Sequence, residues 1–332
     1  MATQDSGYQE QSAWREIQSF LPKEYQLQPG QEPEEEWWSW RGHQIHLDRY
    51  RNPAARARVI LFHGVGTNGR QMSTILGAPL FHSGFETVAT DMPGYGVTKV
   101  APGVTVAYDD WVQAASDFID AELARDPRPI FLYGLSAGGM LTYQATALNK
   151  KVKGIVGMTF LDQRVQEVAE ETAYNRLMGR MGAPAIGAAV SLGLGSIRMP
   201  MSLASKMRAL VNDDAALRVF LRDRTSAGAW VSLKFLASYM TCAPAIEPEQ
   251  FDVCPILLTQ PAEDRWSPLR LSQPFLSRIK RVPVETVMLT NAGHYPIEQP
   301  GLRQMHDAIV TFINRCAAPI ENAPSPRGSG LG

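Results

Sequence analysis

Residues 129–138 read Pro129-Ile130-Phe131-Leu132-Tyr133-Gly134-Leu135-Ser136-Ala137-Gly138, and a helix-compatible segment follows at 140–148. This order predicts a strand, a sharp turn and a helix, with a serine at the turn. Glycines on both sides of the serine allow the strand and the helix to approach closely, because a Cβ atom there would collide. Such a turn holds the serine in a strained backbone conformation and exposes its hydroxyl at the strand end. Ser136 is therefore a candidate nucleophile.

Short apolar runs, rich in β-branched and aromatic residues, alternate with longer helical segments on both sides of this turn. They lie at 59–62, 87–90, 130–133, 154–158, 255–259 and 284–289. Continuous apolar strands separated by helices are typical of a parallel sheet covered on both faces. The predicted fold class is α/β, with a mostly parallel central sheet.

Three further elements are predicted around these strands. A hairpin is expected from 36–40 and 44–47, joined by a turn at Arg41-Gly42. Two amphipathic helices are expected from apolar residues at helical spacing. Their stripes are Trp111, Ala115, Phe118, Ile119 and Leu123 in one helix, and Leu302, Met305, Ile309, Phe312 and Ile313 in the other.

The chain is predicted to form one core with one insertion. Residues 13–162 and 242–317 are assigned to the core, and 163–241, which is helix-like and lacks strand signals, to a helical cap. The ends, 1–12 and 318–332, are polar or rich in Pro, Gly and Ser and are expected to be disordered.

The segment 181–197 within this insertion carries no charge and is rich in Gly, Ala, Leu and Val. It is shorter than the roughly 20 residues of a membrane-spanning helix, and it contains Pro184 and four glycines. We expect a mobile apolar lid element, with a membrane-contacting loop as the alternative.

Composition excludes several classes of protein. The 32 basic and 33 acidic residues leave a net charge of −1, so no global field favours nucleic acid or an anionic membrane. The three cysteines, Cys242, Cys254 and Cys316, are odd in number and far apart, which argues against a disulfide framework. None of them has metal-ligand spacing. The first residues show no secretory signal pattern, so a cytoplasmic location is expected.

A serine hydroxyl needs a neighbouring base to act as a nucleophile at neutral pH. His294, in the loop directly after the last predicted strand, is the candidate base. His63 follows the strand at 59–62, and its place indicates that it shapes a loop there. His43, His46, His82 and His306 have no comparable setting.

The base in turn needs an orienting acid, expected in a loop after a strand. Asp264 occupies such a position after the run at 255–259. Its neighbour Glu263 is an alternative, and so is Asp162, which follows the strand ending near residue 161.

Two backbone amides are expected to stabilise a developing oxyanion. One belongs to Ala137, directly after the serine, and the other to Val65 in the loop after the first parallel strand. Because the donors are main-chain groups, the side chains at these positions are unimportant for this role.

These residues together resemble the α/β-hydrolase superfamily. The resemblance rests on the order serine, acid, histidine, the loop His63-Gly64-Val65-Gly66, the turn at Ser136, and Asp91-Met92-Pro93-Gly94-Tyr95-Gly96 after the second parallel strand. It covers roughly residues 36–316 and is nearest to capped bacterial carboxylesterases and monoacylglycerol-lipase-like enzymes. It implies Ser136 as nucleophile, His294 as base, Asp264 as its partner, and Val65 with Ala137 as oxyanion hole. The chain differs from many relatives at Gln260-Pro261, where glycine is common, and at Leu135.

The expected activity is hydrolysis of carboxylic esters of small or medium hydrophobic acyl groups, with no cofactor and no metal. Carbon–carbon bond hydrolysis, and action on lactones, amides or thioesters, would use the same residues and are alternatives. A non-catalytic binding protein on the same fold is a third possibility. The apolar cap residues expected to line the site are Met178, Met181, Met199, Met201, Met207 and Trp230.

Overall fold

The computed structural model describes residues 7–317. Within that range the strands are β1 Glu34–Trp40, β2 His43–Tyr50, β3 Arg58–Phe62, β4 Glu86–Thr90, β5 Ile130–Gly134, β6 Gly154–Gly157, β7 Arg198–Pro200, β8 Trp230–Ser232, β9 Ile256–Pro261 and β10 Val284–Leu289. The α-helices are α1 Ala13–Gln18, α2 Gly69–Met72, α3 Ala78–His82, α4 Tyr108–Arg125, α5 Ala137–Asn149, α6 Gln166–Thr172, α7 Arg176–Ala189, α8 Met201–Ala204, α9 Asp214–Arg222, α10 Leu233–Thr241, α11 Gln273–Leu276 and α12 Gly301–Ala317.

Eight strands form one sheet in the order β1-β2-β4-β3-β5-β6-β9-β10. β1 and β2 form the predicted hairpin, and β2 runs antiparallel to β4, whereas the other neighbours are parallel. The predicted α/β class with a mostly parallel sheet is thus confirmed.

Both faces of the sheet are covered. On β5, Phe131 packs against Phe312 of α12, and the hydroxyl of Tyr133 lies 3.4 Å from Sδ of Met305 on the same helix. Ile130 and Leu132 point to the opposite face and are equally buried. The two predicted amphipathic helices, α4 and α12, bury their apolar stripes as expected, except that Leu123 is only partly buried.

The register of the strands brings the loops that carry Ser136, Asp264 and His294 to one edge of the sheet. Phe62 of β3 pairs with Gly134 of β5, and Gly134 pairs with Gly157 of β6, so these three strands end together. On the far side of β6, Pro261 of β9 pairs with Leu289 of β10. The loops carrying the serine, the candidate acid and the candidate base therefore all leave the sheet at the carboxyl ends of parallel strands.

The expectation of disorder over residues 1–12 is wrong for residues 7–12. Tyr8 is fully buried, and its hydroxyl lies 3.0 Å from both carboxylate oxygens of Asp91. Its backbone N–H donates to Glu35, and its carbonyl accepts from the indole of Trp14. One anchored aromatic residue orders a segment whose composition is otherwise polar. Residues 1–6 and 318–332, also predicted to be disordered, lie outside the described residues.

The 163–241 segment is not free of strands. It holds α6 to α10, but β7 and β8 pair within it as a small antiparallel sheet. Each strand has only three residues, too few for an alternating pattern to be recognised in the sequence. The segment Val190–Leu194 continues α7 and is kinked at Gly193, whose φ is 83°.

Candidate active site

Ser136 lies at the turn between β5 and α5 with φ 56° and ψ −121°. This region of conformational space is strained for a residue with a side chain. The flanking glycines are required: a Cβ atom on Gly134 would lie 1.9 Å from the carbonyl oxygen of Gly138, and one on Gly138 would lie 2.6 Å from that of Phe62. The predicted strand, turn and helix are confirmed.

The loop after β3 passes directly over the serine. A Cβ atom on Gly64 would lie 2.8 Å from Cβ of Ser136. The next residue, Val65, lines a cavity together with Ser136. The internal hydrogen bonds of residues 7–317 do not use the backbone N–H groups of Val65 and Ala137, so both donors are available to a bound group.

His294 and Asp264, thirty residues apart, meet in the buried interior of this edge. Nδ1 of His294 lies 2.9 Å from Oδ2 of Asp264. Burial raises the pKa of the Asp264 carboxyl, but the charge and hydrogen bond of His294, with the backbone N–H groups of Ser267 and Trp266, lower it below its usual value overall. Asp264 is therefore ionised at neutral pH and holds a proton on Nδ1. Nε2 of His294 has no hydrogen-bond partner within residues 7–317.

Neither alternative acid pairs with His294. Glu263 is exposed. Its backbone carbonyl oxygen accepts a hydrogen bond from the side-chain amide of Asn212. Asp162 is buried, but Arg164 binds its two carboxylate oxygens at 2.9 and 2.8 Å. The structure brings only Asp264 to the histidine.

Two residues, Ser267 in the acid loop and Gln260 in β9, support this pair. The sequence singled out Gln260 only as a departure from a family pattern, and Ser267 not at all. Oγ of Ser267 lies 2.9 Å from Oδ2 of Asp264 and 2.9 Å from Nδ1 of His294. The amide of Gln260 donates to the carbonyls of Pro261 and Ser267, which joins the two ends of the loop. Gln260 thus holds the two ends of this loop together. The Asp264 carboxylate accepts from the backbone N–H groups two and three residues on, and this local turn, which aspartate favours, returns the Ser267 hydroxyl to the carboxylate.

The histidine loop is held at several points. The carboxylate of Glu298 accepts from the backbone N–H groups of Gly293 and Ile297, and Tyr295 donates its N–H to the carbonyl of Leu210. The ring of Trp266 packs 4.7 Å from that of His294. The imidazole is therefore restricted in position by its loop, by the indole and by the carboxylate.

His63 shapes the loop beside the serine, as expected. Its Nδ1 lies 2.7 Å from the carbonyl oxygen of Gly64, and Nε2 accepts from the backbone N–H of Met92 at 2.9 Å. Burial lowers the pKa of His63 below its usual value. Both ring nitrogens are occupied, so the neutral ring joins the loops after β3 and β4.

The cavity above Ser136 lies between the sheet edge and the 163–241 segment. It encloses about 730 Å³ including its open mouth. None of its lining residues is charged, and the polar ones contribute only hydroxyls and one amide. Of the six residues expected to line it, Met178, Met199 and Met201 do so.

The other three expected residues lie elsewhere. Met181 is exposed, Trp230 borders a separate cavity, and Met207 is buried against Gly66. Trp266, Leu236 and Tyr239 line the site instead. Helical spacing alone does not tell which side of a helix faces a cavity.

Residues 7–317 contain one group of side chains with potential metal-ligand geometry, formed by Glu35, His46 and Asp48, whose donor atoms lie within 4.8 Å of one another. Arg70 binds both oxygens of Asp48, at 2.6 and 2.9 Å. Its guanidinium supplies the positive charge that a metal would bring, so the group is a buried ion network. That the expected hydrolysis uses no metal ion stays a prediction.

One helix of the described chain, Arg176–Leu194, is long and apolar enough to cross a membrane by length and composition alone. Only 6% of its apolar 18-residue stretch is buried. Leu177 and Leu192, on its surface, are 70% and 78% exposed. This helix lines the cavity through Met178 and Ile186 and presents other apolar side chains outward.

Comparisons with known proteins agree with this architecture. Residues 59–303 match the model of the alpha/beta hydrolase family. Protein phosphatase methylesterase 1 of Bos taurus is 26% identical over 128 residues, which are 39% of this chain and 32% of that protein. The chain thus spans about a third of the length of this relative.

Solved structures extend the likeness of fold over most of the chain. A soluble variant of the monoglyceride lipase of Saccharomyces cerevisiae superposes with a TM-score of 0.70 at 17% identity, covering 90% of this chain and all of that one. The monoacylglycerol lipase of Paleococcus ferrophilus gives a TM-score of 0.61 at 19% identity, covering 82% and 99%. The fold is similar to those of these two lipases, and the family match over residues 59–303 shows that this chain belongs to the alpha/beta hydrolase family.

Proposed function

We propose that the protein is a serine hydrolase that cleaves carboxylic esters of small or medium hydrophobic acyl groups. The observation that carries the proposal is the placement of Ser136, strained and facing an uncharged cavity, at the sheet edge that also carries the buried Asp264–His294 pair. A nucleophile that lines a cavity, a positioned base and free backbone donors are the parts that acyl transfer needs.

In the proposed reaction Oγ of Ser136 attacks the acyl carbonyl while Nε2 of His294 takes the hydroxyl proton. The tetrahedral oxyanion is held by the N–H groups of Val65 and Ala137. Collapse expels the alcohol, which receives the proton from His294, and leaves an ester on Ser136. Water, deprotonated by the same histidine, then releases the carboxylic acid and restores the serine. Asp264 stays ionised throughout and stabilises the imidazolium.

The cavity supports a neutral apolar acyl group. A charged substrate group would lose its hydration there without gaining a partner, since no lining side chain carries a charge. We propose that the 163–241 segment acts as a cap that sets acyl preference, because it supplies most of the lining residues. Neither a cofactor nor a metal has a step in this reaction, and we propose a cytoplasmic location.

Hydrolysis of a carbon–carbon bond, lactone, amide or thioester remains the alternative on the same residues. A non-catalytic ligand-binding role is the other. The relative from Bos taurus is a methylesterase of a protein phosphatase, so esters of different size are within the chemistry of such sites.

The test is intact mass after treatment with a fluorophosphonate that reacts with activated serines. We expect one adduct on the wild-type protein and none on Ser136→Ala or His294→Ala. Ser205→Ala is the matched control, because Ser205 is a buried serine that lines the same cavity. It is expected to be labelled like the wild type. A folded wild-type protein that acquires no adduct would favour the ligand-binding alternative. Turnover of ester, thioester, lactone and amide panels by the unlabelled wild-type enzyme separates the bond types.

A further inference from the structure

The hydroxyl of Ser267 lies between the two members of the acid–base pair. Its Oγ is 2.9 Å from Oδ2 of Asp264 and 2.9 Å from Nδ1 of His294, and its side chain is fully buried. Those two atoms are themselves 2.9 Å apart, so the three polar atoms form a compact triangle. Ser267 does not line the cavity above Ser136.

The hydrogens of this triangle can be assigned from the available acceptors. Oδ1 of Asp264 already accepts from the backbone N–H groups of Trp266 and Ser267, both at 2.8 Å. The hydroxyl proton therefore goes to Oδ2, because Nδ1 of a base whose Nε2 is free carries its own hydrogen. A lone pair of Oγ then faces the Nδ1–H group. Ser267 thus donates to the carboxylate and offers the imidazole a second acceptor.

We propose that Ser267 is a positioning residue, which acts together with Asp264 to fix the tautomer and orientation of His294. This inference rests on the proposed function. The Nδ1–H group is held between two acceptors, so rotation of the ring away from Ser136 loses two hydrogen bonds. The effect is greatest when His294 becomes an imidazolium, because hydrogen bonds to a charged group are the stronger ones. Substrate binding is unaffected, since Ser267 does not reach the cavity.

The experiment compares Ser267→Ala with the wild type in ester hydrolysis and in the rate of fluorophosphonate labelling. Loss of one hydrogen bond to a charged group is expected to lower kcat and the labelling rate about tenfold. KM is expected to change less than about twofold, because the interaction is made with the base and not with substrate. The matched control is Ser226→Ala. Ser226 is fully buried, and its hydroxyl likewise donates to a carboxylate, that of Asp223 at 2.7 Å, but no histidine completes the contact.

A double-mutant cycle separates positioning from general packing. In an Asp264→Asn background, Ser267→Ala is expected to lower kcat by less than about twofold, because residues that act as a unit are not additive. An unchanged kcat in the single variant, or a tenfold loss that persists in the Asp264→Asn background, would overturn the proposal. If Ser267→Ala is not recovered folded, the nearly isosteric Ser267→Cys, whose thiol is a weaker donor, replaces it. The same changes in kcat are then expected, alone and in the Asp264→Asn background. Failure of the proposed function itself is seen separately, as a wild-type protein that is neither labelled nor active.

Discussion

Oδ2 of Asp264 lies 2.9 Å from Nδ1 of His294, and the other carboxylate oxygen is occupied by two backbone N–H groups of its own loop. The loop thus points one oxygen at the histidine and keeps the carboxylate from rotating.

We expect Asp264→Asn to lower kcat by roughly 10²–10⁴-fold while the protein stays folded, because the amide no longer favours the correct tautomer of His294. Ser136→Ala and His294→Ala are expected to lose nearly all turnover.

The two other acids are the controls for this prediction. Glu263→Gln is expected to keep full activity because its side chain is exposed. Asp162→Asn loses its ion pair with Arg164 but is expected to retain the pH profile of the wild type. Steady-state kinetics on one dissolved ester decides the matter: an inactive, folded Asp162→Asn beside a fully active Asp264→Asn would reassign the acid.

The proposed oxyanion donors are main-chain groups, so substitutions at position 65 separate the effect of the side chain from that of the backbone N–H. Val65→Ala is expected to change KM by a small factor, because the side chain lines the cavity. Val65→Pro removes the N–H and is expected to lower kcat about 10²–10³-fold. Kinetics with circular dichroism as a folding check tests this, and equal kcat in the two folded variants would exclude Val65 as a donor.

The turn at Ser136 depends on its glycines. A Cβ atom on Gly138 would lie 2.6 Å from a backbone oxygen of β3, so Gly138→Ala is expected to destabilise the protein by about 1–3 kcal/mol or more. Gly187→Ala is the control, because nothing lies within 4 Å of that position and it sits inside α7. There alanine is expected to be neutral or stabilising. Denaturant unfolding measures both, and comparable stabilities would contradict the steric argument.

His46 supplies a pH dependence of stability. Burial lowers its pKa, but hydrogen bonds and charges from Asp91, Glu35 and Asp48 raise it to about 10 overall. A pKa raised in the folded state stabilises the fold fully below the unfolded value near 6.5, and this stability is lost as pH rises through about 10.

The free energy of unfolding of the wild type should therefore exceed that of His46→Gln by a few kcal/mol near pH 6, and the gap should narrow towards pH 10. Denaturant titrations across this range test the prediction. His82→Gln, at an exposed histidine, is expected to follow the wild type. A gap for His46→Gln that is constant from pH 6 to pH 10 would contradict the assignment of a protonated His46.

The exposed leucines of the helix Arg176–Leu194 test whether that helix contacts an apolar surface. Burial of one leucine side chain contributes about 1.5–3 kcal/mol, so replacing both Leu177 and Leu192 by Gln should weaken such contact strongly. We expect hydrolysis of a dispersed medium-chain ester to fall at least about fivefold, with a dissolved short ester unaffected. Leu148→Gln, on an exposed leucine of α5, is the control. Equal losses on both esters would indicate damage to the cavity instead.

The sequence by itself determined the α/β class, the strand–turn–helix at Ser136 and the positions of the six predicted parallel strands. These are local: apolar runs form buried strands, and a serine between glycines permits only a narrow set of turns. Placement after strand ends also selected His294 and left Asp264, Glu263 and Asp162 as candidate acids, because parallel strands bring their carboxyl ends to one edge.

Only the tertiary structure decided which acid meets the histidine, since Asp264 and Asp162 both follow strands and differ in what lies across from them. It also decided the roles of Ser267 and Gln260, the burial of Tyr8, and the sides of the helices that face the cavity. Each of these depends on contacts between residues distant in the chain, whose geometry is set by packing. A periodic pattern in the sequence shows that a side chain is buried, but the fold alone sets its partner.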